Sequence, residues 1–151
     1  SGPKIPVKFS GRVVNRSLRV AGEELHVTCV SMGNPHCVIF VDELEAYPVT
    51  TLGPQLEHHH LFPERTNVEF VKVISSSRLQ QRTWERGAGE TLACGSGACA
   101  VAVAAHLNHL TERNVEIQLK GGRLQVEWSK KDNHVSMTGP AELVYEGVID
   151  F

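Results

Sequence analysis

Residues 96–110 read SGACAVAVAAHLNHL. From Ala98 to Ala105 the stretch carries no charge and no large side chain. Wound as a helix, it is apolar on every side, and such a helix is buried all round. Its small side chains let neighbouring strands come close. The stretch predicts one central buried helix, and the rest of the chain must supply the sheet around it.

Outward from this segment the chain reads mostly as strands. RVVNRSLRV (12–20) alternates, and ELHVTCVSM (24–32) follows a break at Gly22-Glu23. HCVIFV (36–41) is a short apolar run between turn signals. NVEFVKV (67–73) and RLQQRTWE (78–85) alternate on either side of a serine cluster. NVEIQLKGGRLQVEWS (114–129) is a hairpin pattern with Gly121-Gly122 at its turn. NHVSMTG and AELVYEGVI complete a β-rich tail. TTLGPQLEHH (50–59) offers a second, short helix interrupted by Gly53-Pro54. The fold class that results is α+β: a curved, mostly antiparallel or mixed β-sheet wrapped around one central buried α-helix.

The length, 151 residues, suits one domain able to bury a real core. A net charge of −2 builds no positive field for nucleic acid or an anionic membrane. No apolar run reaches the roughly 18 residues of a membrane span, and no secretory signal pattern is visible. The opening SGPKIPV lacks an initiator methionine, which reads as a processed product or a fragment. Cys29, Cys37, Cys94 and Cys99 show no CxxC or zinc-finger spacing. They read as free thiols in a cytosolic compartment, with Cys29 and Cys37 as small buried hydrophobes.

Cys94 differs, because it stands directly before Gly95-Ser96-Gly97 at the mouth of the buried helix, with Ser96 as candidate N-cap. The first turn of a helix has unpaired backbone N–H groups and the positive end of the dipole. Glycines let a carboxylate come close to those groups. A thiol held there has its thiolate stabilised, with a pKa that falls from about 8.5 into the range of roughly 3.5–7.5. A carboxylate and an ionisable thiol a few ångströms apart suit proton abstraction from the carbon beside the carboxylate. A packed cysteine in a tight turn, and a cysteine hydrolase using one of the eight histidines, fit the same turn.

Three blocks decide between these readings. SMGNPHCVIFV (31–41), LFPERTNVEFV (61–71) and ERGAGETLACGSGACA (85–100) together closely resemble the diaminopimelate epimerase family, in the family's order and spacing. The resemblance covers essentially the whole chain. It implies epimerisation of L,L-diaminopimelate to the meso form without pyridoxal phosphate or metal. Two cysteines on opposite faces of one α-carbon carry the proton transfer. Cys94 matches the second of them, and Gly95 and Ser96 match the positions whose backbone N–H groups hold the reacting carboxylate. Asn34, Asn67 and Arg86 match residues that recognise the non-reacting end of the substrate, where an arginine can fork a carboxylate. His36 and Glu85 match residues thought to assist the thiols. The catalytic set is therefore Cys94, Glu85 and His36. The substrate set is Asn34, Asn67, Glu85, Arg86, Gly95 and Ser96, with no metal and no cofactor. By themselves Asn34-Pro35 is a common turn signal, and Glu85-Arg86 could be an exposed charged pair. The run His58-His59-His60 reads as a surface or helix-end feature, and Trp84 as packing beside the site.

The resemblance also implies a missing half. Family enzymes are about twice as long, with two similar lobes that each supply one cysteine and one buried helix. The motif of the first cysteine is absent here, so the chain looks like the carboxy-terminal lobe alone. Residues 142–151 are expected to form a terminal strand that packs on the amino-terminal lobe. The isolated chain is expected to be inactive without that lobe. A homodimer is one open assembly state. The rival readings are a same-fold isomerase of the proline racemase or phenazine-biosynthesis type, and a non-catalytic binding lobe.

Overall fold

The protein is described from a computed structural model that covers residues 13–92 and 95–139, with the backbone alone for 143–148. Among the described residues ten strands form one mixed sheet, and two helices pack on it. In chain order the elements are β1 (Arg16–Val20), β2 (Glu23–Ser31), β3 (Pro35–Phe40), α1 (Val49–Glu57), β4 (Asn67–Ser75), β5 (Arg78–Glu85), β6 (Gly89–Thr91), α2 (Gly95–Leu107), β7 (Asn114–Leu119), β8 (Gly122–Trp128), β9 (His134–Thr138) and β10 (Leu143–Val148). The sheet runs β1-β2-β3-β4-β5-β7-β8-β9-β10, with β6 paired to β5. The pairs β3–β4 and β5–β7 are parallel; the other pairs are antiparallel.

The segment that predicted the core does form it. Gly97 to Ala105 are buried throughout α2, which packs on β2, β3, β4, β7, β8 and β9. Alanines at the contact surface allow this curved sheet to wrap the helix. The helix stops at Leu107, short of the expected 110. Leu110 N–H bonds to the carbonyl of Ala105, and His109 N–H to that of His106. These are the two bonds of a Schellman motif. Its left-handed residue is His109, φ 59°, where a glycine would have announced the end.

The second helix was readable only as a short, broken pattern. Its buried residues Val49, Leu52, Gly53, Leu56 and Glu57 follow helical spacing. They cover the sheet face opposite α2. Alternation along the strands divides the core accordingly. Val27, Cys29, Cys37, Ile39, Val68 and Phe70 face α1, whereas Val30, Val38, Val71 and Leu79 face α2. The central strands are therefore covered on both sides. β1 begins at Arg16 because Asn15 takes φ 52°. In the β7–β8 hairpin Leu119 pairs with Gly122, so Lys120 and Gly121 make the turn. Of the terminal strand expected over 142–151, residues 143–148 form β10, antiparallel to β9, and the others lie outside the described residues. No helix among the described residues is long and apolar enough to cross a membrane.

Candidate active site

The parallel register of β3 and β4 sets His36 beside Asn67 and Val38 beside Glu69. Both strands turn these polar side chains to the α2 face. His36 is 1% exposed, Asn67 3% and Glu69 0%. The polar residues Asn67 and Glu69 thus face the core, because α2 covers the side that in a simpler sheet faces water. His36 Nδ1 lies 2.6 Å from Glu69 Oε1, and His36 Nε2 lies 3.0 Å from Asn34 Oδ1. Asn34 Nδ2 in turn donates to Ser96 Oγ at 3.4 Å. A chain of side chains therefore runs from β4 through the turn before β3 to the first turn of α2.

The ERG segment is held just as firmly. Ala88 N–H bonds to the carbonyl of Glu85, and Gly87, third in that four-residue turn, has φ 78°. This is type II geometry, which calls for glycine at the third position. Arg86 is left at the corner with its side chain exposed, and its Nη1 donates to the carbonyl of Glu64. Asn67 ties this turn to the GNPH turn: its Oδ1 accepts from Arg86 N–H at 2.8 Å, and its Nδ2 donates to the Pro35 carbonyl at 3.1 Å. Its amide thus links two loops, beyond any contact it makes with a ligand.

Behind the turn stands Glu57, 4% exposed at the end of α1. Its Oε1 accepts from Trp84 Nε1 at 2.9 Å, and its Oε2 from Gly87 N–H at 3.0 Å. Arg65 Nη1 lies 3.8 Å from Oε2. One buried carboxylate therefore pins both sides of Glu85-Arg86. Trp84 packs as expected, its indole seated against Gly53 of α1.

Cys94 lies outside the described residues, and so does Ala93. The segment leading to them is well anchored. Glu90 accepts from Arg82 Nε at 2.9 Å and Nη2 at 3.0 Å, a bidentate fork, and Lys120 Nζ lies 2.8 Å from Oε2. Arg82, then Lys120, hold the Glu90 carboxyl below its ordinary range against the opposing effect of burial. Gly121 N–H bonds to the Leu92 carbonyl at 2.9 Å. On the far side α2 begins at Gly95, so Ser96 lies inside the first turn and not at the expected cap position.

The described geometry thus brings Asn34, His36, Asn67 and Ser96 together, with the Glu85-Arg86 turn tied to them through Asn67. The family profile described as diaminopimelate epimerase matches residues 28–144. The chain belongs to the diaminopimelate epimerase family. It is 55% identical over 150 residues to the diaminopimelate epimerase of Microcystis aeruginosa, covering 97% of this chain and 53% of that protein. It is 52% identical over 160 residues to the chloroplastic diaminopimelate epimerase of Oryza sativa subsp. japonica, covering 97% of this chain and 44% of that protein. The chain spans about half the length of the curated relatives it matches. Solved structures share the fold. A hydroxyproline epimerase from Agrobacterium vitis superposes with a TM-score of 0.60 at 12% identity, over 90% of this chain and 44% of that one. A phenazine biosynthesis protein of the PhzF family from Bacillus anthracis gives 0.56 at 18% identity, over 81% and 40%. The fold class read from the sequence is thus that of the diaminopimelate epimerase type.

Two residues of this site escaped the sequence reading, Glu57 and Glu69. Each left a signal. Glu57 falls on the apolar stripe of α1, and Glu69 lies between Val68 and Phe70 in a strand buried on both faces. Cys29 and Cys37 are buried free thiols, and Cys99 is buried in α2. The Cys29 side chain bonded to it, then burial, then Glu69 nearby push the Cys37 thiol well above its ordinary value. In the histidine run, His59 Nε2 reaches the Arg19 carbonyl at 2.8 Å and its ring stacks on His60. A groove of about 490 Å³, lined by Glu43, Lys72, Arg82 and Lys120 among others, contains none of the predicted site residues.

Proposed function

We propose that the protein to which this chain contributes interconverts L,L- and meso-diaminopimelate by two-base proton transfer between cysteines. Cys94 supplies one of the two bases. The observation that carries this reading is the assembly of three separated motifs at the first turn of α2, through the Asn34–Ser96 and Asn67–Arg86 contacts.

In this reading the substrate carboxylate docks at Gly95 and Ser96, where the helix dipole favours an anion. A thiolate on one face of the α-carbon removes its proton, and the C–H electron pair delocalises into the carboxylate. A thiol on the opposite face returns a proton to that carbon, so the centre inverts with no net change in protons. Glu85 and His36 assist the thiols. Arg86, Asn34 and Asn67 read the distal amino-acid end, where a guanidinium forks a carboxylate and amides offer both donor and acceptor.

The second cysteine belongs to an amino-terminal lobe, and residues 142–151 pack against it. One lobe holds half the pocket, so the chain alone is inactive until that lobe closes over the substrate and excludes water. A reduced, cytoplasmic setting keeps the thiols free. The reaction needs no metal or organic cofactor.

The test is α-proton exchange in D2O. The full-length reading frame that encodes this chain, kept reduced, is incubated with L,L-diaminopimelate and followed by NMR. Loss of the α-proton signal with meso product, abolished in Cys94→Ser and absent with L-proline, establishes the activity. Exchange with L-proline alone moves the assignment to a same-fold racemase. Exchange with neither leaves a binding lobe.

A further inference from the structure

The carboxylate of Glu69 has no solvent contact, and the epimerase reading above gives it no role. It sits on the α2 face of β4, opposite the buried Thr83 of β5. Oε1 lies 2.6 Å from His36 Nδ1, whereas Oε2 is buried with no hydrogen-bond partner among the described residues. A buried carboxylate is costly unless it is paired, so the His36 contact is the feature that makes Glu69 tolerable there.

Two contacts of the His36 ring bear on where its protons sit. A ring nitrogen and a carboxyl oxygen approach to 2.6 Å only with a proton between them. Asn34 directs its Nδ2 to Ser96 Oγ, which leaves Oδ1 facing His36 Nε2 at 3.0 Å. An amide oxygen only accepts, so with the Asn34 amide assigned in this orientation Nε2 carries a proton too. His36 and Glu69 together hold two protons and are neutral as a pair. One proton lies on the Nδ1–Oε1 line, and Nε2–H is aimed at Asn34 and the helix mouth.

We propose that Glu69 is a positioning residue for proton transfer, holding His36 as a doubly protonated Nε2–H donor toward the first turn of α2. The inference rests on the epimerase reading above. A fixed donor with cationic character stabilises negative charge forming on a thiolate or carboxylate at that turn without reorganising. A side chain that takes part in proton transfer is commonly oriented by a third group. Glu69 acts through His36 and does not touch the substrate.

The test uses the full-length protein with 15N-labelled histidine, as wild type, Glu69→Gln, His36→Gln and the double variant. In wild type both His36 ring nitrogens should report N–H, with the Nδ1 proton far downfield. In Glu69→Gln the amide donates to Nδ1, so that nitrogen should become a bare acceptor while Nε2–H remains. The kcat should then fall by at least about tenfold, part of the roughly 10²–10⁴ that acid–base groups contribute. KM should move by less than about threefold. If the two residues act as a unit, the double variant should be no slower than His36→Gln alone. A bare Nε2 in wild type, an unchanged kcat in Glu69→Gln, or additive losses would each overturn the proposal. Wild-type ring signals decide the protonation claim even where a variant does not fold. Absence of α-proton exchange by the wild-type protein would remove the epimerase reading and the role with it, while the ring signals still report the pair.

Discussion

Replacing Gly53 by alanine sets two effects against each other. Gly53 lies inside α1, where alanine is favoured by up to about 1 kcal/mol. The new Cβ, however, would stand 2.5 Å from Cγ and 2.6 Å from Cδ2 of Trp84, and 2.9 Å from its Cβ. Carbon contacts are comfortable near 3.5–4.0 Å, so the indole must retreat by about 1 Å. Side-chain rotation does not relieve a clash with the Trp84 Cβ, so the β5 backbone must yield as well. Overpacking of this kind costs about 1–3 kcal/mol. The retreat also stretches the 2.9 Å bond from Trp84 Nε1 to Glu57, and a hydrogen bond to a charged group contributes about 1.5–3 kcal/mol. Sterics win over propensity, with a net loss of about 2 kcal/mol. At about 2–4 °C per kcal/mol for a domain of this size, Tm should fall by roughly 4–8 °C. Thermal and urea unfolding of the purified protein measure it, with Gly53→Ala/Trp84→Leu as the relieving double variant. Equal or higher stability in Gly53→Ala would refute the argument, since helix propensity would then act unopposed and the indole could not be seated on Gly53.

Other expectations follow from the same contacts. Glu57→Gln keeps one acceptor for two N–H donors, Trp84 Nε1 and Gly87 N, so one charge-assisted bond at a partly buried site is lost, at a cost of about 1 kcal/mol. Its urea midpoint should fall with the slope unchanged; an unchanged midpoint would contradict the placement of the carboxylate. Glu90 has a folded pKa below its unfolded one, so its contribution is present above the unfolded value and is lost as pH falls through the folded value. Glu90→Gln should therefore lose stability at neutral pH and show a flatter acid limb than wild type in pH-dependent unfolding. Native alkylation with iodoacetamide should label Cys94 and spare Cys29, Cys37 and Cys99, which are buried, with the Cys37 thiol held protonated. Peptide mass spectrometry reads the result, and rapid native labelling of Cys37 would sink the account.

The sequence by itself determined the central helix, since eight successive small apolar residues leave no face for water. It determined most strands through period-two alternation, and it located the turns and strand ends that carry Asn34, His36, Asn67, Glu85 and Arg86. Those are local properties, visible in windows of a few residues. Only the tertiary structure decided which loops meet, because the parallel β3–β4 pairing is a contact between segments separated by α1. It also decided that Glu57 and Glu69 are buried partners and not surface charges. A carboxylate in a strand or short helix looks alike in sequence whether it faces water or a histidine. The difference is made by α2 covering one face of the sheet and α1 the other, and by the cost of a buried charge that forces each into a specific bond.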